Sequence, residues 1–133
     1  MSNPEVGRVI LEQLRATIQA DRREYPQKDW PVVYNIGQND ATLYLCKCPS
    51  CMEISTREGS DAALQLLCLN GVAREIAKEY PDILIQTFAY CSTEIAPKTV
   101  RPEPNIRIRW CDLYTYSDCY RPLTSDFNKA RRE

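Results

Sequence analysis

The chain has 133 residues, 44% of them apolar and 26% charged, a composition that suits one globular domain or part of one. Its 17 basic and 18 acidic residues give a net charge of −1, which leaves no basic footprint for nucleic acid. No apolar run approaches the ~20 residues that span a bilayer, and Met1 to Glu5 lacks the basic and apolar regions of a signal peptide. The chain as written therefore reads as cytoplasmic, while a longer parent protein remains compatible with export.

Asn3 is a good N-cap, with Pro4 at the first helical position and Glu5 in the first turn. Val6, Ile10, Leu14 and Ile18 then recur every four residues, with Val9 and Leu11 widening the stripe. This periodicity predicts an amphipathic helix of about 18 to 20 residues, ended by the charged run Asp21 to Glu24 and by Pro26. Trp30-Pro31 leads into a short apolar strand, Val32 to Ile36. A loop carrying Gly37-Gln38-Asn39-Asp40 and then Cys46-x-Cys48-x-x-Cys51 follows.

Gly59-Ser60-Asp61 starts a second helix, capped by Ser60 or Asp61, with Leu66, Leu69, Val72, Ala73, Ile76 and Tyr80 on one face and Pro81 as its stop. Ile83 to Tyr90 is nearly continuous in apolar residues, as expected of a parallel strand covered on both faces. Pro97, Pro102 and Pro104 stiffen the next connection, about 13 residues long and just sufficient for a parallel crossover with little or no helix. In the third strand, Asn105 to Trp110, alternation puts Ile106, Ile108 and Trp110 on one side and Arg107 and Arg109 on the other. The tail closes as a helix from about Ser125. This order predicts an α/β fold with about three parallel strands and flanking helices.

In parallel α/β architectures the loops at the carboxyl ends of strands gather on one face, where chemistry is usually placed. Here those ends carry Asn39-Asp40, then Tyr90-Cys91-Ser92-Thr93-Glu94, then Cys111-Asp112. Asp40 is the leading catalytic candidate, an acid whose role would be set by burial and by neighbours that tune it. Its bland alternative is an Asx turn after a strand. Glu94 is the second carboxylate available for glycosidase-like pairing, and Glu53 is a third acid. Asn39, Tyr90 and Arg109 are candidate substrate contacts, through hydrogen bonding and aromatic stacking, and Trp110 is a further stacking candidate. The simpler readings are Trp110 as core and Arg109 as an ion-pair partner inside or beside the sheet. Asn70, on the second helix, reads as a surface residue, with packing toward the loop as its alternative.

Seven cysteines with no histidine form an odd set, so complete pairing within one chain is impossible. Cys46, Cys48 and Cys51 are spaced to supply several soft ligands to a structural, thiolate-bound zinc, with Cys91, Cys111, Cys119 or Asp40 completing a tetrahedron. The alternative is a loop staple of packed thiols or one disulfide. Redox catalysis fits less well, because Cys48-x-x-Cys51 is not expected to open a helix in a strand-first thioredoxin pattern. Cys68, inside the second helix, reads as a small buried hydrophobe.

Taken together, Ser2 to Val6, Gly37 to Asp40, Cys46-x-Cys48-x-x-Cys51, Asn70 to Ala73, Tyr80-Pro81-Asp82, Ala89-Tyr90, Arg101-Pro102-x-Pro104-Asn105 and Arg109-Trp110-Cys111 carry a resemblance in their order. The chain resembles a bacterial domain-of-unknown-function family of glycoside-hydrolase-like TIM-barrel proteins, often found behind an α-glucuronidase-like N-terminal domain. The resemblance spans nearly the whole chain. It implies a (β/α)8 barrel and action on, or binding to, complex polysaccharide. A barrel of this kind needs about 250 residues, so the expectation is a partial barrel, inactive alone and prone to self-association through unpaired strand edges. Ala41 after Asp40, Cys91 after Tyr90 and the irregular stretch Asp112 to Leu123 depart from the family pattern, the last weakening Cys119 as an equivalent position. The alternatives are a non-catalytic carbohydrate-binding or surface protein on the same fold, and a small cysteine-rich metal-binding module.

Overall fold

The computed structural model describes residues 2–38, 46–111, 124–126 and 129. Asn39, Asp40, Cys119 and the segment expected to be helical beyond Ser125 lie outside the described residues, Ser125 to Asp126 and Lys129 excepted.

Helix α1 (Pro4–Glu24) begins as its sequence requires, with the Asn3 side chain accepting from the Glu5 N–H at 3.0 Å and Pro4 at the first helical position. The charged run Asp21 to Glu24 forms its last turn, as the sequence predicts. The helix continues through Glu24, and Tyr25 turns extended (φ −105, ψ 148) because it precedes Pro26. Strand β1 (Val33–Asn35) follows a 3-10 turn at Gln27–Asp29. After the undescribed stretch come α2 (Pro49–Glu58), α3 (Ala62–Glu79), β2 (Leu84–Ala89), a 3-10 turn at Cys91–Thr93 and β3 (Ile106–Trp110).

Helix α2 corrects the expectation of a plain cysteine loop. Cys48 is its N-cap and Pro49 its first residue, and Gly59 closes it at φ +71, a left-handed conformation that side-chain-bearing residues resist. Gly59 therefore terminates one helix immediately before the next. In α3 the Ser60 hydroxyl accepts from the Ala62 N–H at 3.0 Å, and the helix stops at Glu79 ahead of Pro81.

The three strands are all parallel and stand in the order β1-β2-β3, with Tyr34 opposite Ile85 and Ile85 opposite Ile106. The fold is thus mixed α/β, with three parallel strands and flanking helices. Tyr34, Ile85 and Ile106 point to one face, where they meet Leu14 and Ile18 of α1 and Leu69, Val72, Ala73 and Ile76 of α3. Full burial of each aliphatic side chain here contributes about 1.5–3 kcal/mol. Tyr34 donates to Asp21 at 2.8 Å, and burial followed by that bond pushes its phenol up to about 12.

Both α1 and α3 lie on this one face, so β2 is not covered on both sides by the described residues. On the other face Val33, Asn35, Arg107 and Arg109 are exposed, and Leu84, Gln86 and Phe88 are half-buried. Among the described residues, the unbroken apolar run of β2 has one face packed by helices and one that no described helix covers. No helix among the described residues is long and apolar enough to cross a membrane.

Candidate functional site

Two places bring candidate residues together: the carboxyl edge of the sheet and the N-terminal end of α2. At the sheet edge, Gln38 follows β1 and links across to the loop after β2. Its amide donates to the Tyr90 carbonyl at 3.1 Å and accepts from the Thr93 hydroxyl at 2.9 Å. Thr93 Oγ1 also accepts from the Tyr90 N–H at 3.1 Å, fixing the turn. Inside that turn Cys91 holds φ +54, a left-handed conformation of the sort that collects at functional loops and costs of order 1–3 kcal/mol.

Glu94 is buried and lines a recess of about 440 Å³ on the helix side of the sheet, together with Thr87, Phe88, Lys98, Arg101 and Trp110. Arg109 is exposed and alternates to the opposite face of β3 from Trp110. A shallower recess of about 370 Å³ is lined by Ser55, Thr56, Ser60, Asp61 and Ser92 at the start of α3. Three buried polar atoms around these recesses, Ser55 Oγ, Ser92 Oγ and Trp110 Nε1, have no hydrogen-bond partner among the described residues. Each such orphan costs about 1–3 kcal/mol. Nothing in the sequence marked Ser55 or Ser92 for this position.

Asn70 corrects the surface reading. It is buried, donates to the Arg101 carbonyl at 2.8 Å and accepts from the Glu103 N–H at 3.0 Å. It thereby fixes the proline-rich connection that shapes the larger recess.

At the second place the Sγ atoms of Cys46, Cys48 and Cys51 all lie within 4.8 Å of one another. Cys48 is exposed at the helix cap, Cys46 is half-buried and Cys51 is fully buried in the first turn. Ser2 closes the cluster from the other end of the chain. Its N–H donates to Cys51 Sγ at 3.3 Å, and its hydroxyl lies 3.2 Å from Cys51 Sγ and 3.8 Å from Cys48 Sγ.

Burial pushes the Cys51 thiol up, but hydrogen bonds from the Ser2 hydroxyl, the Ser2 N–H and the thiols of Cys48 and Cys46 outweigh it and bring the group down to about 6. For Cys46 the backbone N–H of Cys48 acts downward, yet the thiols of Cys48 and Cys51 and charge on Cys51 together raise it. The Ser2 and thiol contacts thus favour the thiolate of Cys51. Three sulfurs at this spacing can bind a soft metal ion. Among the described residues, neither Cys91 nor Cys111 joins them.

Cys68 is half-buried and its thiol is raised by burial. Cys48-Pro49 does open a helix, α2, which removes one part of the sequence objection to thiol chemistry at this motif.

The whole chain, residues 1–133, matches the family described as Domain of unknown function (DUF4838), and the chain belongs to that family. No curated protein and no solved structure matches it.

Proposed function

We propose that this member of the DUF4838 family is part of a (β/α)8-type barrel that binds carbohydrate at the carboxyl edge of its strands, and that an intact barrel hydrolyses a glycosidic bond there. The observation that carries this reading is the pair of recesses beside the carboxyl ends of β2 and β3, lined by Glu94, Arg101 and Trp110 in one and by Ser60, Asp61 and Ser92 in the other. Polar side chains of this kind pair with the hydroxyls of a polyol, and the Trp110 ring offers an apolar face to it. The sheet supports the barrel reading: strand order is sequential, and α1 and α3 share one face. A doubly wound sheet would reverse its order and carry helices on both faces.

In this reading Asp40 is the acid and Glu94 the second carboxylate, while Asn39, Tyr90 and Arg109 contact sugar. Hydrolysis is assigned to a protein with all eight strands, and sugar binding without turnover to the three strands here. Titration with soluble polysaccharide fragments, followed by calorimetry, tests binding. Saturable binding that weakens about tenfold or more in Trp110→Ala with Asp61→Ala is expected, the loss of a stacking face and a polar contact. Binding that is absent, or indifferent to these changes, would contradict the proposal. In a closed-barrel relative, Asp40→Asn should abolish turnover and leave binding intact.

A second reading has its own observation, the thiol trio. Cys46, Cys48 and Cys51 would hold a structural zinc as thiolates. The spacing of their Sγ atoms, all within 4.8 Å, suits three corners of a tetrahedron. Zinc would then tie the first residues of α1 to α2 through Ser2, whose N–H and hydroxyl already reach the sulfurs.

A further inference from the structure

We propose that Cys48 and Cys51 form a thiol–disulfide exchange pair, in which the exposed Cys48 attacks a low-molecular-weight disulfide and the buried Cys51 resolves the product. This activity is independent of the carbohydrate reading and uses the same sulfurs as the metal reading, in their metal-free state.

Geometry separates the roles. Cys48 sits on the N-cap of α2, where its carbonyl accepts the first helical bond from the Met52 N–H at 3.0 Å and its side chain is exposed to solvent. Cys51 lies three residues on, in the first turn, with none of its surface exposed. A dissolved disulfide can reach the first sulfur and cannot reach the second. Because both sulfurs lie within 4.8 Å of each other, rotation about side-chain torsions closes the gap to a bond of about 2.05 Å. Ser2 sets the arrangement by holding Cys51 Sγ with two contacts while touching Cys48 Sγ only at 3.8 Å. The resolving sulfur is therefore fixed and the attacking one is freer to leave its place. Pro49 adds a rigid link between cap and helix, with no N–H to compete for the sulfurs.

The steps balance as follows. Cys48 thiolate attacks one sulfur of the small disulfide RSSR, forming Cys48–S–S–R and releasing the first RS⁻. Cys51 thiolate then attacks Cys48 Sγ, forming the Cys48–Cys51 bond and releasing the second RS⁻. Two protein thiols have lost two electrons, which reduce RSSR to two thiols, and the protons pass to solvent or to the leaving thiolates. A dithiol outside the protein reverses both steps. Cys46 stays reduced and remains as the third group of the cluster.

The test is the reduced full chain, freed of metal by chelator, exposed to glutathione disulfide and mapped by peptide mass spectrometry over time. The expected product is a Cys48–Cys51 disulfide, formed at least about tenfold faster than glutathione adds to Cys91 or Cys111, as site-selective thiol reactivity requires. Cys51→Ser should trap glutathione on Cys48, and Cys48→Ala should leave Cys51 reduced over the same period. A Cys46–Cys51 or Cys46–Cys48 bond as the main product would overturn the assignment. So would glutathione spread evenly over the half-buried and exposed cysteines, or no exchange at all. The wild-type map alone decides between these outcomes if either variant fails to fold.

Discussion

The two ends of α2 are both polar clamps onto distant parts of the chain, and they differ in how completely they are satisfied. At the C-terminal end the buried Glu58 carboxylate accepts from the Thr99 N–H and hydroxyl, each at 2.8 Å, and from the Val100 N–H at 3.3 Å. The Glu58 carbonyl also accepts from the Lys98 N–H at 3.1 Å. At the N-terminal end, Ser2 meets the thiols of Cys51 and Cys48 at 3.2 to 3.8 Å, contacts that are longer and softer. A carboxylate with several short donors has little capacity left for a ligand. A sulfur cluster with weak contacts keeps its lone pairs available. The first end is built for stability and the second for chemistry.

The comparison breaks most readily at Glu58. Glu58→Ala leaves the Thr99 and Val100 N–H groups without their acceptor and should lower the melting temperature by about 10 °C, a size expected when a small domain loses a buried charged partner. Glu58→Gln, which keeps one acceptor, should lose less. A change of only a degree or two for Glu58→Ala, read by calorimetry, would mean that this end is no clamp.

Asn70→Ala tests a neutral counterpart of the same device, since Asn70 holds the Arg101 carbonyl and the Glu103 N–H. A loss of about 2 kcal/mol in urea unfolding is expected, with the 440 Å³ recess altered because its lining connection is released.

A smaller effect comes from acid. The Thr99 backbone N–H first, then the Thr99 hydroxyl and the Val100 N–H, hold the Glu58 carboxyl below its ordinary value of 4.5. Its contribution to stability is fully present above 4.5 and is lost as pH falls through the lower folded value. Unfolding midpoints measured between neutral pH and mild acid should therefore fall less in Glu58→Gln than in wild type.

The smallest change is Ser2→Ala. It removes only the sulfur–hydroxyl contacts at 3.2 and 3.8 Å and should move the melting temperature by no more than a degree or so, within the range of ordinary surface substitutions. It sharpens the contrast with Glu58→Ala, and an equal loss in the two variants would erase it.

What the sequence disclosed follows from the kind of signal each element carries. Helices α1 and α3 and the three strands were legible because their apolar residues repeat at helical or strand spacing and their ends carry Asn3, Pro4, Ser60 and Pro81. Helix α2 was hidden because Pro49 to Glu58 has only Cys51, Met52 and Ile54 as apolar residues, too few to draw a stripe. Its boundaries were present as Pro49 at the first position and Gly59 at the close, but Gly59 also reads as the start of the following helix.

The cysteine spacing disclosed the cluster, while Ser2 as its closing group depends on how α1 lies against the rest and has no local signature. Asn70 was misread because a mid-helix amide looks solvated until the proline-rich segment it binds is folded over it. Burial of Glu94 in a recess, and the orphaned hydroxyls of Ser55 and Ser92, are likewise products of packing between elements distant in sequence.

The contrast between the two ends of α2 rests on the thiols being open to a ligand. The most direct measurement is metal content per chain on protein purified under reducing conditions without chelator, with reactive thiols counted in parallel. The account predicts about one zinc per chain, with Cys46, Cys48 and Cys51 protected from alkylation until a chelator is added. No bound metal after incubation with zinc, together with alkylation of the three thiols unaffected by that metal, would contradict it.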